Sequence, residues 1–140
     1  MILSSPYAET MGFGTERDAE GRLVLTMAFQ SDKMGRPGFL HGGAIAGMLE
    51  AVAYATLAEA LGEGDRPLIK PVNVTVTFMR GGRDALTRAR ATIERLGRRI
   101  ANVEAVAWQD DPANPIAVAQ MNVMLDRGQA DAAAGRGVTR

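Results

Sequence analysis

Apolar Val72, Val74, Val76 and Phe78 alternate with Asn73, Thr75, Thr77 and Met79. A period of two marks a strand with one face turned to a core. The same period recurs in Ala85, Thr87, Ala89, Ala91 and Ile93 against Leu86, Arg88, Arg90, Thr92 and Glu94. It returns in Ala101, Val103, Ala105 and Ala107 against Asn102, Glu104, Val106 and Trp108, and Ile116 to Leu125 closes the series. Gly81-Gly82, Gly97 with its basic neighbours, and the polar stretch Asp110 to Pro115 supply the turns. Nearer the start, Met11 to Arg17 reads as a short strand and Arg22 to Gln30 as a second, with Gly21 as the turn between them. Residues 1–10 read as a loose lead-in, and Ser31 to Leu40, rich in Gly and Pro, as a loop.

The period changes over His41 to Leu61, a run of helix formers opened by Gly42-Gly43 and stopped by Gly62 and Gly64. Between Gly42 and Ala58 its only charged residue is Glu50. A helix that is apolar all round is buried all round. Either a curved sheet wraps it or a partner chain covers what the sheet leaves. Four consecutive strands joined by tight turns make an antiparallel sheet, so the class is α+β, one long helix against one sheet. Ala at 89, 91, 101, 105 and 107 lets sheet and helix approach closely. The whole of 1–140 reads as a single domain with its core over about 11–125. Residues 126–140 are rich in Gly, Ala and Arg without periodicity and are expected to fray.

Composition narrows the chemistry more than the fold. The 140 residues carry 16 basic and 16 acidic side chains, and this zero net charge argues against a nucleic-acid binder that neutralises phosphates in bulk. No Cys is present and only one His, which excludes disulfides, thiolate metal sites, a Cys nucleophile and any site needing two imidazoles. Ser occurs only at 4, 5 and 31, none in a nucleophile elbow. There is no phosphate-binding or dinucleotide-binding glycine motif. No apolar run approaches a membrane span, and no basic-then-apolar leader opens the chain, so no membrane contact and a cytoplasmic location are expected.

What remains is carboxylate, imidazole, guanidinium and backbone. A lone carboxylate in an apolar helix is costly to bury ionised, and desolvation would raise the pKa of Glu50 towards that of a general base. The alternative is a solvent stripe through residue 50, although Ala46, Gly47, Ala53 and Tyr54 flank it at helical spacing. His41-Gly42-Gly43 opens the same helix. Glycines there leave bare N–H groups at the positive end of the dipole, suited to a developing oxyanion. The bland reading of the same residues is an entry turn with a structural His.

HGGAIAGMLEAVAYATLAEAL, followed by VNVTVTFMRGG and LGRRIANVEAVAW, resembles the hotdog-fold acyl-CoA thioesterases of the phenylacetate-degradation type. The likeness runs from about Met11 to Leu125. It implies a sheet wrapped round a central helix, a homodimer with a continuous sheet, often a dimer-of-dimers tetramer, and hydrolysis of an acyl-CoA substrate with no metal or redox cofactor. By the same resemblance Glu50 matches the catalytic acid, as general base or nucleophile. Gly42 matches the residue whose N–H polarises the thioester carbonyl, and His41 and Gly43 complete the motif. Asn73, Phe78 and Arg98 fall where members contact acyl or CoA groups. Fourteen of the 16 basic residues are Arg, and Arg80, Arg83, Arg98 and Arg99 sit at strand ends or turns, which suits phosphate or a solvated rim equally. One position departs from the pattern. Members usually carry Asn or Gln six residues before the His, where this chain has Gly35, although Gly38 fits. Gln30 is a candidate substitute. A hotdog protein that binds an acyl or aromatic ligand without turnover is the rival reading, and Gly35 is its best support.

Overall fold

The computed structural model describes residues 5–128. A short helix α1 (Pro6–Met11) is followed by β1 (Gly14–Arg17) and β2 (Leu23–Met27). Then come the long helix α2 (Gly42–Leu61) and the strands β3 (Leu68–Phe78), β4 (Thr87–Leu96), β5 (Ile100–Trp108) and β6 (Ala117–Asp126). All six strands join one antiparallel sheet in the order β1-β2-β4-β5-β6-β3.

Four expectations need correction. Within the lead-in expected over 1–10, the described residues from 5 on form a helix: Ser5 caps α1 by accepting the Ala8 N–H at 3.1 Å, Pro6 opens it, and Gly12 at φ 69° ends it. These are ordinary start and stop signals, but only six residues separate them. The strand expected over 11–17 is therefore shortened to 14–17, and the one expected over 22–30 stops at Met27 before a 3-10 turn at Ser31–Lys33. The strand centred on Val74 begins earlier, at Leu68. A bulge between Pro71 and Asn73 hides its first residues from the alternation.

β5 shows why the sheet has two unlike faces. Ala101, Val103, Ala105 and Ala107 are buried, whereas Asn102, Glu104 and Val106 between them are half-exposed. The buried alanines of β4, β5 and β6 form a shallow floor on which Met48, Leu49, Val52 and Leu57 of α2 are fully enclosed. Small side chains below allow large ones above at normal packing density.

The helix is not covered on every side. Gly43, Glu50 and Tyr54 are exposed, and Ala46, Gly47, Ala51 and Ala58 are half-buried, so one stripe of α2 faces outward. The sheet wraps one side of the helix only, which explains why an all-apolar sequence is not buried all round. α2 is also long and apolar enough, by length and composition, to match a membrane span, against the expectation that no run approaches one. Its position over the sheet accounts for that composition.

The two sheet edges differ. β1 has four residues, and its Glu16 and Arg17 are tied to Arg88 and Glu59. β3 has 11 residues, pairs among the described residues only with β6, and leaves Leu68, Val72, Val74 and Phe78 exposed. At the far end of β6, Arg127 forms two hydrogen bonds to Asp65, which hold that carboxyl below its usual range. Arg127 is thus anchored, and residues 129–140 of the stretch expected to fray lie outside the described residues.

Candidate active site

His41 occupies the N-cap of α2 with extended backbone, φ −68° and ψ 137°. Its Nδ1 accepts the Gly43 N–H at 2.8 Å, its carbonyl accepts from Ala44 and Ile45, and its own N–H donates to the Lys33 carbonyl at 2.7 Å. An imidazole that accepts at Nδ1 carries its proton on Nε2. The expectation of two free glycine N–H groups is thereby halved. Gly43 is occupied by His41, and Gly42 alone has an N–H with no hydrogen-bond partner among the described residues. Phe78, at the end of β3, stands against it: a Cβ on Gly42 would meet the ring at 3.4 Å.

The loop before the motif is built to hold this turn. Lys33 is 4% exposed, with Nζ bonded to the side chains of Gln30 at 2.9 Å and Asp32 at 3.0 Å. The Gln30 carbonyl oxygen is therefore taken by Lys33, which leaves only its amide N–H groups to stand in for a missing amide. Gly35 lies directly beside His41, where a Cβ would come 3.3 Å from the His41 Cα. Phe39 is held between the guanidinium groups of Arg36 and Arg83, 4.0 and 4.5 Å from its ring centre. Arg80 belongs to the same end of the sheet, with Nε donating to the Pro115 carbonyl.

Glu50 lies elsewhere and is exposed, not buried as the apolar run suggested. Its surroundings on α2 are small residues that the sheet does not reach. It lines a groove of about 830 Å³ with Tyr7, Gly47, Ala51 and Tyr54, and Ile69 and Met121 lie deeper in the groove. Tyr7 is the residue that sequence reasoning missed here, because its helix was too short to show a period. Burial, and then the Glu50 charge, push its hydroxyl above the usual range.

Within one chain these parts do not converge. Eight residues separate Gly42 from Glu50, a rise of about 12 Å along the helix. Arg98 and Arg99 occupy the β4–β5 turn, at the opposite end of β5 from the motif, about 30 Å away at strand spacing. Asn73 is on the sheet face away from α2, accepting from Asn122 at 2.9 Å in a ladder that continues to Asn102. Of the residues expected to bind substrate, Phe78 is the one brought against Gly42.

A family model described as the acyl-CoA thioesterase N-terminal domain matches residues 30–124, the loop, helix and four strands just described. Among solved structures, a phenylacetic acid degradation-related protein of Ralstonia eutropha JMP134 is 28% identical with a TM-score of 0.73, covering 86% of this chain and 90% of its own. A protein of Chromobacterium violaceum is 32% identical with a TM-score of 0.68, covering 87% and 84%. A Bacillus halodurans protein, solved with CoA, shares the fold at 16% identity and a TM-score of 0.78, covering 87% and 79%. No curated protein sequence matches the chain. The glycine-opened helix on an alanine-floored sheet thus has both a family and a set of structural counterparts. The chain belongs to the hotdog-fold acyl-CoA thioesterases of the phenylacetate-degradation type.

Proposed function

We propose that the protein hydrolyses an acyl-CoA thioester to the free acid and CoA, with Glu50 of one chain and the His41-Gly42 turn of a second chain acting on one carbonyl. The observation that carries this reading is the Gly42 N–H, unpartnered at the positive end of a 20-residue helix while His41 takes the N–H beside it. Such a donor acts on an oxygen that gains charge in the transition state.

In the general-base form, Glu50 removes a proton from water as its oxygen bonds to the thioester carbon. Gly42 holds the resulting oxyanion. Collapse breaks the C–S bond and the proton on Glu50 passes to the departing thiolate. In the nucleophilic form the carboxylate attacks first, CoA leaves, and water opens the anhydride. The family match and the CoA in the Bacillus halodurans protein support CoA as the leaving group.

The separation between Gly42 and Glu50 supports a site completed by a second chain. The exposed apolar edge of β3 is the surface on which that chain would pair, extending the sheet. A two-fold dimer then has two sites, and a tetramer is two such dimers.

Thiol release, followed with a thiol-reactive dye over short, long and aromatic acyl-CoAs, tests the activity. Turnover of at least one class is expected. Saturable binding without thiol release across the panel would instead favour the non-catalytic ligand binder, for which Gly35 beside His41 is the supporting observation.

A further inference from the structure

The Tyr7 ring reaches from α1 onto α2, where its hydroxyl fills the space of a missing side chain. A Cβ on Gly47 would fall 1.9 Å from the Tyr7 Oη. Gly47 and Glu50 are three residues apart on one helix face, with β-positions about 5–6 Å apart. A glutamate side chain spans most of that gap. The phenol thus stands over the same face as the carboxylate, close enough for the Glu50 charge to act on the hydroxyl.

Three further observations agree. The Tyr7 hydroxyl has no hydrogen-bond partner among the described residues. The ring is braced from the other side by Phe13, edge-on at 6.0 Å, and α1 is capped at both ends with Ala8 buried beneath it. The raised hydroxyl stays protonated at neutral pH and is therefore a donor.

Resting on the assignment of Glu50 as the base, we propose that Tyr7 is a positioning residue of the same site. Its hydroxyl donates to the Glu50 carboxylate and aims the second oxygen into the groove, where the proton of water is taken. A donor to an ionised carboxylate favours that form over the protonated one. The other titratable groups lining the groove are Tyr54 on α2 and, towards its far end, Glu59, Glu63, Asp65 and Arg66, the last paired with Glu63. Glu59 is tied to Arg17 and Asp65 to Arg127.

Tyr7→Phe removes only the hydroxyl. With the acyl-CoA turned over fastest, kcat is expected to fall roughly tenfold, the worth of one hydrogen bond to a charged group, with KM within about twofold. The acid limb of the kcat/KM profile should rise by about one pH unit. Gly47→Ala, which takes the hydroxyl's space, should reproduce both changes. A separate readout needs no turnover. The chain has 2 Tyr, so Tyr54→Phe leaves Tyr7 alone, and its ultraviolet titration should move down when Glu50→Gln is added. The proposal is overturned by a Tyr7→Phe variant with unchanged kcat and acid limb. It is equally overturned by a kcat loss without a shift of the limb, or by a Tyr7 titration indifferent to Glu50. If Glu50→Gln itself stays active, the assignment of the base fails instead.

Discussion

His41 accepts the Gly43 N–H and thereby leaves Gly42 as the one open donor at the head of α2. The imidazole is too occupied with its own helix to serve as an acid or base while this bond is intact. Its contribution is to fix where the neighbouring N–H points.

That assignment makes Gly42→Pro the informative substitution. Residue 42 is the first of the helix, where proline is well tolerated, and His41 is already in the extended conformation that proline demands of its predecessor. The change deletes the N–H while keeping the helix. We expect kcat to fall roughly 10²–10³-fold, as for loss of an oxyanion donor, with little change in KM. Gly42→Ala, which keeps the N–H and meets Phe78 at 3.4 Å, should lose much less. Equal kcat values for the two variants, both folded by circular dichroism, would remove Gly42 from the mechanism.

Glu50→Gln keeps the shape of an exposed side chain and removes its basicity. Melting temperature and oligomeric mass should be unchanged, because nothing is buried or exposed by the swap. Turnover should drop roughly 10²–10⁴-fold. A variant retaining more than about a third of wild-type kcat is incompatible with either role given to this carboxylate.

Subunit exchange tests whether one site draws on two chains. Glu50→Ala and Gly42→Pro proteins, each inactive, are mixed under mild denaturant and returned to buffer. In a mixed dimer one site carries both lesions and the other carries neither, so activity should reappear. Mixed dimers seen by native mass spectrometry that remain inactive would place the complete site within one chain.

Position 35 separates crowding from chemistry. Any side chain there presses on His41, with Cβ 3.3 Å from its Cα. Gly35→Ala measures that crowding alone. Gly35→Asn adds an amide beside His41 and should exceed Gly35→Ala in kcat by severalfold, on the order of one hydrogen bond. If the alanine variant equals or outperforms it, the missing amide does not limit the rate.

The long helix was readable as a 20-residue run of helix formers between glycines, and the four strands after it from their alternation. α1 was not, since two turns of helix show no period, although Ser5, Pro6 and Gly12 mark its ends. The chemistry divides similarly. Gly42 could be named from a motif, because backbone donors at a helix start follow from local geometry. The exposure of Glu50 could not, because it depends on where the sheet stops wrapping α2. Tyr7 and Lys33 escaped for the same reason: each acquires its meaning from a neighbour distant in sequence or from a loop fold. Asn73 was named by resemblance as a substrate contact, yet its alternation with Val74, Val76 and Phe78 already put it on the polar face, where it pairs with Asn122.

The unequal margins of the sheet bear on aggregation. One margin is long, apolar and receptive, and the other is four residues long and guarded by ion-paired charges. Fibre growth by strand addition requires every newcomer to offer a fresh receptive margin. Here a second copy docking antiparallel along β3 would consume both receptive margins at once and present only guarded ones. Association in the plane of the sheet would therefore stop at two, however concentrated the protein becomes.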